Sequence, residues 1–137
     1  MQDELVIEAA VEKLPEVIGF IESHLEEAGC SMKAQMQICI AVEEVFVNIA
    51  NYAYAPDKGN ATIRIEVPDE PVAIVTFMDH GVPFNPLSKA DPDIGLPAAQ
   101  RRIGGLGIFM TKKTMDDVEY EYRDCKNILT IKKNLKS

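Results

Sequence analysis

Two connections too short for a crossover constrain this chain more than any other feature of it. TIRIEV (62–67) and VAIVTFMD (72–79) are separated only by Pro68-Asp69-Glu70-Pro71, and segments 117–123 and 127–133 only by Asp124-Cys125-Lys126. A parallel pair needs a connection of about a dozen residues or more, so both pairs are expected to fold back as antiparallel hairpins. Residues 4–10 (ELVIEAA) read as a further, first strand. Leu14, Val17, Ile18, Ile21 and Leu25 recur at helical spacing within 13–28, and Gly29 ends that run. Ser31 is placed to cap a second, longer helix reaching about Tyr54, with an apolar face through Ile38, Val42, Val45, Phe46, Ile49 and Ala53. A turn cluster at 56–60 follows it, and a third helical pattern runs from Leu106 to about Met115. The order is strand, two helices, two strands, irregular loop, helix, two strands. With no repeat and no linker, residues 1–137 are expected to form one α+β domain. Its architecture is a two-layer α/β sandwich, a mixed, mostly antiparallel sheet covered by helices on one face.

Charge and cysteine usage narrow the chemistry. The chain of 137 residues carries 14 basic and 22 acidic side chains, a formal charge of −8. A surface of that sign repels phosphate backbones, which argues against a direct nucleic-acid partner. Cys30, Cys39 and Cys125 are odd in number and lack CxxC or Cys/His spacing, so they read as reduced thiols. The opening MQDEL is acidic, and no apolar stretch approaches the roughly 20 residues of a membrane span. A cytoplasmic protein without membrane attachment is expected.

Three short motifs stand out against this background. In EEVFVNIANYAY (43–54), a helix lines up Glu44, Asn48 and Asn51, with Gln37 two turns before Glu44, beside the apolar face. A solvated flank explains such a stripe when it stands alone. The functional alternative is metal and proton chemistry, because an Asn amide oxygen suits Mg²⁺ and a carboxylate one turn away can orient or deprotonate a hydroxyl. In DHGVPFNP (79–86), Asp79 closes an apolar strand, where a carboxylate can accept the exocyclic amine of adenine, and Gly81 permits close approach of the backbone. A plain strand-ending turn is the competing reading. In RRIGGLGIFMTKK (101–113), Gly104, Gly105 and Gly107 open a helix whose free N–H groups attract phosphate, and Arg101, Arg102, Lys112 and Lys113 supply local positive charge. The P-loop and Rossmann fingerprints are both absent. An irregular stretch from about 84 to 104, rich in proline, joins the second motif to the third and reads as a lid.

Taken together, and in this order, the motifs resemble the N, D and G boxes of the GHKL ATPase superfamily. NIANYAY, DHGVPFNP and GGLGIFMTKKTMDDVEY are most similar to the anti-sigma factor serine/threonine kinases. The resemblance implies a Bergerat-type fold with an ATP·Mg²⁺ pocket between helices and sheet. Glu44 would be the catalytic base and Asn48 the Mg²⁺ ligand. Asn48, Asn51, Asp79, Gly81, Phe84, Arg102, Gly104, Gly105, Leu106 and Gly107 would line the nucleotide site. Tyr52 stands where many relatives carry His, and Ile103 where some carry an arginine. The implied partners are an anti-anti-sigma (STAS-domain) protein, which is phosphorylated, and a sigma factor, which is sequestered. A homodimer is a further expectation of the resemblance. The alternative is a nucleotide-binding partner-switch module without kinase turnover.

Overall fold

The computed structural model describes residues 2–54, 57–68, 71–88 and 105–136, with the side chains of 88 and 105–107 outside that description. The regular elements are β1 (Gln2–Glu8), α1 (Leu14–Glu27), α2 (Met32–Tyr52), β2 (Asn60–Glu66) and β3 (Val72–Asp79), then α3 (Gly105–Thr114), β4 (Asp117–Arg123) and β5 (Lys126–Asn134). The sheet order is β1-β2-β3-β5-β4. Every pairing between these strands is antiparallel, where the sequence reading allowed a mixed sheet. The first strand begins two residues earlier than expected, because Gln2 and Asp3 already pair with Glu66 and Ile65.

Local chemistry accounts for the boundaries. Gly29, at φ 74°, takes the left-handed conformation just after α1, and the Ser31 hydroxyl accepts the Ala34 N–H at 3.1 Å to cap α2. Asp124 and Cys125 both adopt positive φ, 54° and 61°, as a two-residue hairpin turn matched to strand twist requires. Strict alternation in β2, β3 and β5 turns Ile63, Ile65, Val75, Phe77, Leu129 and Ile131 inward. Val17, Ile21 and Leu25 of α1 and Ile38, Val42 and Phe46 of α2 close over that face. The long helix α2 lies centrally over β3 and β5, with α1 beside it over β2 and α3 on its other side over β4. Lys133, on the inward face of β5, donates to the Thr114 carbonyl at 2.8 Å and so fastens the C-terminal end of α3 to the sheet. One layer of helices thus covers one face of the sheet, and the second half of α2 runs above the C-terminal end of β3.

Candidate functional site

At that end a cleft opens between α2 and the sheet, lined mostly by apolar side chains with a few polar groups among them. Asn48, Tyr52, Asp79, Phe84, Ile108 and Asn127 are among its walls. It brings together residues of all three sequence motifs, Asn48, Asp79 and Ile108 among them.

Asp79 is the buried anchor of the cleft, 5% exposed although it is a carboxylate. Its Oδ1 accepts the Gly81 N–H and the Asn127 Nδ2, each at 2.9 Å. These contacts among the described residues fall on one oxygen, which leaves Oδ2 available to a ligand amine. Asn127 is the residue that reasoning on the motifs missed. Its Nδ2 also donates to the Val82 carbonyl at 2.8 Å, while its Oδ1 accepts the Phe84 N–H at 3.1 Å and the Tyr120 hydroxyl. One amide therefore fixes both the carboxylate and the loop after β3. The signal was present in the alternation, since Asn127 occupies an inward position in line with Leu129 and Ile131.

The loop after β3 is also tied to α2. Val82 N–H donates to the Ala53 carbonyl at 3.0 Å, and a methyl group on Gly81 would overlap that same oxygen. Gly81 is thus required by close approach of two backbones. Tyr54 completes the junction, accepting the His80 N–H at 2.8 Å and donating to the Asn60 carbonyl at 2.6 Å. Burial pushes the Tyr54 phenol above its ordinary pKa, so it remains a neutral donor.

Glu44 sits one turn before Asn48, at the edge of the cleft and not among its lining residues. Its Oε1 is buried without a hydrogen-bond partner, and so is Oε1 of Gln37 two turns earlier. Burial raises the Glu44 pKa above the ordinary carboxylate value and the charge on Glu43 adds to the shift, while a hydrogen bond with the Asn48 side chain opposes it. A carboxylate only accepts, so Asn48 acts on Glu44 through its amide N–H₂, and the amide oxygen stays available to another ligand. Among the described residues, no cluster of three or more His, Cys, Asp or Glu side chains could hold a metal. Mg²⁺ takes hard oxygen ligands and keeps waters and phosphates in its shell, and the Asn48 amide oxygen, one turn from the buried, unpartnered Glu44 Oε1, fits such an ion.

Other expected residues distribute unevenly. Phe84 lines the cleft, its ring 6.3 Å from that of Tyr52. Asn51 is exposed and is not part of the lining. Gly105, Leu106 and Gly107 form the first turn of α3, whose leading N–H groups have no acceptor within the helix. His80 is exposed, and so are Lys112 and Lys113, with the Lys113 ammonium 5.3 Å from the Phe109 ring centre. Arg102 and Gly104, together with the lid from 89 onward, lie outside the described residues.

Comparison with known proteins agrees with this geometry. Serine-protein kinase RsbW of Listeria monocytogenes (strain HCC23) is 29% identical over 110 residues, covering 77% of this chain and 69% of that protein. The protein of the same name from Bacillus mycoides (strain KBAB4) is 32% identical over 97 residues, covering 68% of this chain and 60% of its own length. In the crystal structure of the RsbU and RsbW domains of Rv1364c from Mycobacterium tuberculosis, the same fold recurs at TM-score 0.68 and 16% identity. That match covers 97% of this chain and 32% of the other. The profile of the histidine kinase-like ATPase domain matches residues 7–133, from the end of β1 to near the end of β5 and so across both walls of the cleft. The chain belongs to the histidine kinase-like ATPase domain family.

Proposed function

We propose that this protein is an ATP-dependent serine/threonine protein kinase that acts as an anti-sigma factor in the cytoplasm. It phosphorylates a small anti-anti-sigma protein and sequesters a sigma factor, and residues 1–137 are its ATP-binding kinase domain. The relatives named serine-protein kinase support the activity. The observation that carries the reading is Glu44, whose buried, unpartnered oxygen stands beside Asn48 at the mouth of the cleft. A protein that only bound nucleotide would gain nothing from a desolvated carboxylate there.

The residues divide the work. Asp79, held by Asn127 and Gly81, presents its second oxygen to the exocyclic amine of adenine. Tyr52 and Phe84 flank the base with apolar surface. The first turn of α3 offers backbone N–H groups to the phosphates. Asn48 would hold Mg²⁺, which when bound neutralises charge on the phosphates. Glu44 takes the proton of the attacking serine hydroxyl as its oxygen bonds to the γ-phosphorus and the bond to the β,γ-bridging oxygen breaks, releasing ADP. Its raised pKa brings it nearer the range in which a base accepts a proton effectively.

The test is incubation of the protein with γ-labelled ATP, Mg²⁺ and a candidate STAS-domain protein. Label on a serine or threonine of that protein is the expected result. Nucleotide-dependent binding of the partner with no transfer of label would instead establish the partner-switch module.

A further inference from the structure

On the side of α2 away from α3, the helix carries an apolar stripe that nothing among the described residues covers. Met32, Met36 and Ile40 recur every four residues and are 90%, 59% and 55% exposed. Together they span about 12 Å of helix. They form one wall of a groove between α1 and the first half of α2, with Ile18 on the opposite wall and Cys30 and Cys39 also lining it. Burial pushes the Cys39 thiol up to about 11, with the charge of Glu22 adding to the shift, so the thiol stays neutral and apolar in character. Glu22 and Glu26 of α1 and Glu43 of α2 rim the groove. The basic groups nearby are Lys33, exposed on α2, and Lys136, whose charge reaches Cys30.

An exposed apolar stripe at helical spacing in an acidic frame has few suitable occupants. A second copy related by a two-fold axis through the groove would bring two acidic rims together, which repel. An anionic lipid surface meets the same repulsion. We propose that this groove docks a basic amphipathic helix of a protein partner. Its apolar residues would seat on Met32, Met36 and Ile40, and its lysines or arginines would pair with Glu22, Glu26 and Glu43. The unbranched methionines suit this role because they repack around differing apolar anchors. The inference deepens the proposed function and rests on it only in requiring a protein partner.

The probe is a fluorescent helical peptide of about five turns, with leucines on one face and flanking lysines, titrated into the full chain by anisotropy. Saturable binding is expected, with a twin carrying glutamates in place of lysines at least about tenfold weaker. Met36→Lys should weaken the lysine peptide about tenfold or more, and Glu22→Lys with Glu26→Lys should reverse the preference between the twins. These side chains are exposed or on the rim, so the fold tolerates the changes, and a parallel ATP titration of each sample should match the parent. Absence of saturable binding, equal affinity for both peptides, or variants that bind as the parent does would each overturn the docking site. A parent dimer that Met36→Lys dissociates in sedimentation would overturn it in favour of a second copy. Failure of the parent to bind ATP would count against the proposed function, independently of the peptide result.

Discussion

Replacing Glu44 with glutamine should move stability and activity in opposite directions. The glutamine keeps the volume but removes a charge whose Oε1 is buried and unpartnered. Desolvating a polar group costs about 1–3 kcal/mol and more when it is charged, and the neutral amide escapes only the part due to the charge. Glu44 is only half-buried and solvent screens its charge, so a gain of about 1 kcal/mol is the reasonable size. In a domain of this length that is a rise in Tm of about 4 °C. The sign has a pH signature. The folded-state pKa of Glu44 is raised above its ordinary 4.5, so between the two values the folded protein holds more protons than the unfolded chain. Stability of the parent therefore falls as pH rises through the window between the two values, and the penalty is complete above it. The glutamine variant lacks that fall, so its advantage should grow across the window and be near zero below 4.5. Phosphoryl transfer should drop about 10²-fold or more, the usual consequence of losing a general base, while Mg²⁺·ATP affinity stays close to the parent's. Thermal melts between about pH 4 and 8, paired with label transfer at neutral pH, measure both effects. A variant less stable than the parent at neutral pH would refute the desolvation argument. Parental transfer would remove Glu44 from the chemistry.

Three further substitutions probe the cleft. Asn127→Ala removes one partner each of Asp79, the Val82 carbonyl and the Phe84 N–H. It should cost about 3 kcal/mol in denaturant unfolding and weaken ATP binding about tenfold, and parental values in both would deny Asn127 its positioning role. Gly81→Ala drives a methyl into the Ala53 carbonyl. A loss of about 2 kcal/mol in a thermal melt is expected, and a neutral result would mean that the two backbones separate easily. Asn48→Ala should reduce ATP affinity about tenfold in Mg²⁺ and little in EDTA, read by calorimetry, because it removes a metal ligand and not a base contact. An equal loss in both buffers would assign Asn48 to the nucleotide itself.

Much of this protein is written in local patterns. Short connections dictated the two hairpins, Gly29 and Ser31 set the break between α1 and α2, and inward alternation marked the covered face of the sheet. Each depends on steric or hydrogen-bonding preferences within a few residues, which is why sequence alone determined them. The motif residues Asn48 and Asp79 were legible for the same reason, as polar groups at the margin of apolar runs. Asn51 shows where that reasoning ends. On a helix of about 100° per residue it lies about 60° from Asn48 on the side away from Tyr52, and the cleft opens toward Tyr52. Helical spacing identified the stripe, but only the placement of α2 over β3 and β5 decided which part of it faces the cleft. Asn127 makes the same point more strongly. Its partnership with Asp79 depends on strand register, which pairs residues 48 positions apart. The orphaned oxygen of Glu44 is likewise a property of what the packed helix excludes, since desolvation arises only when the layers close and has no local signature in the chain.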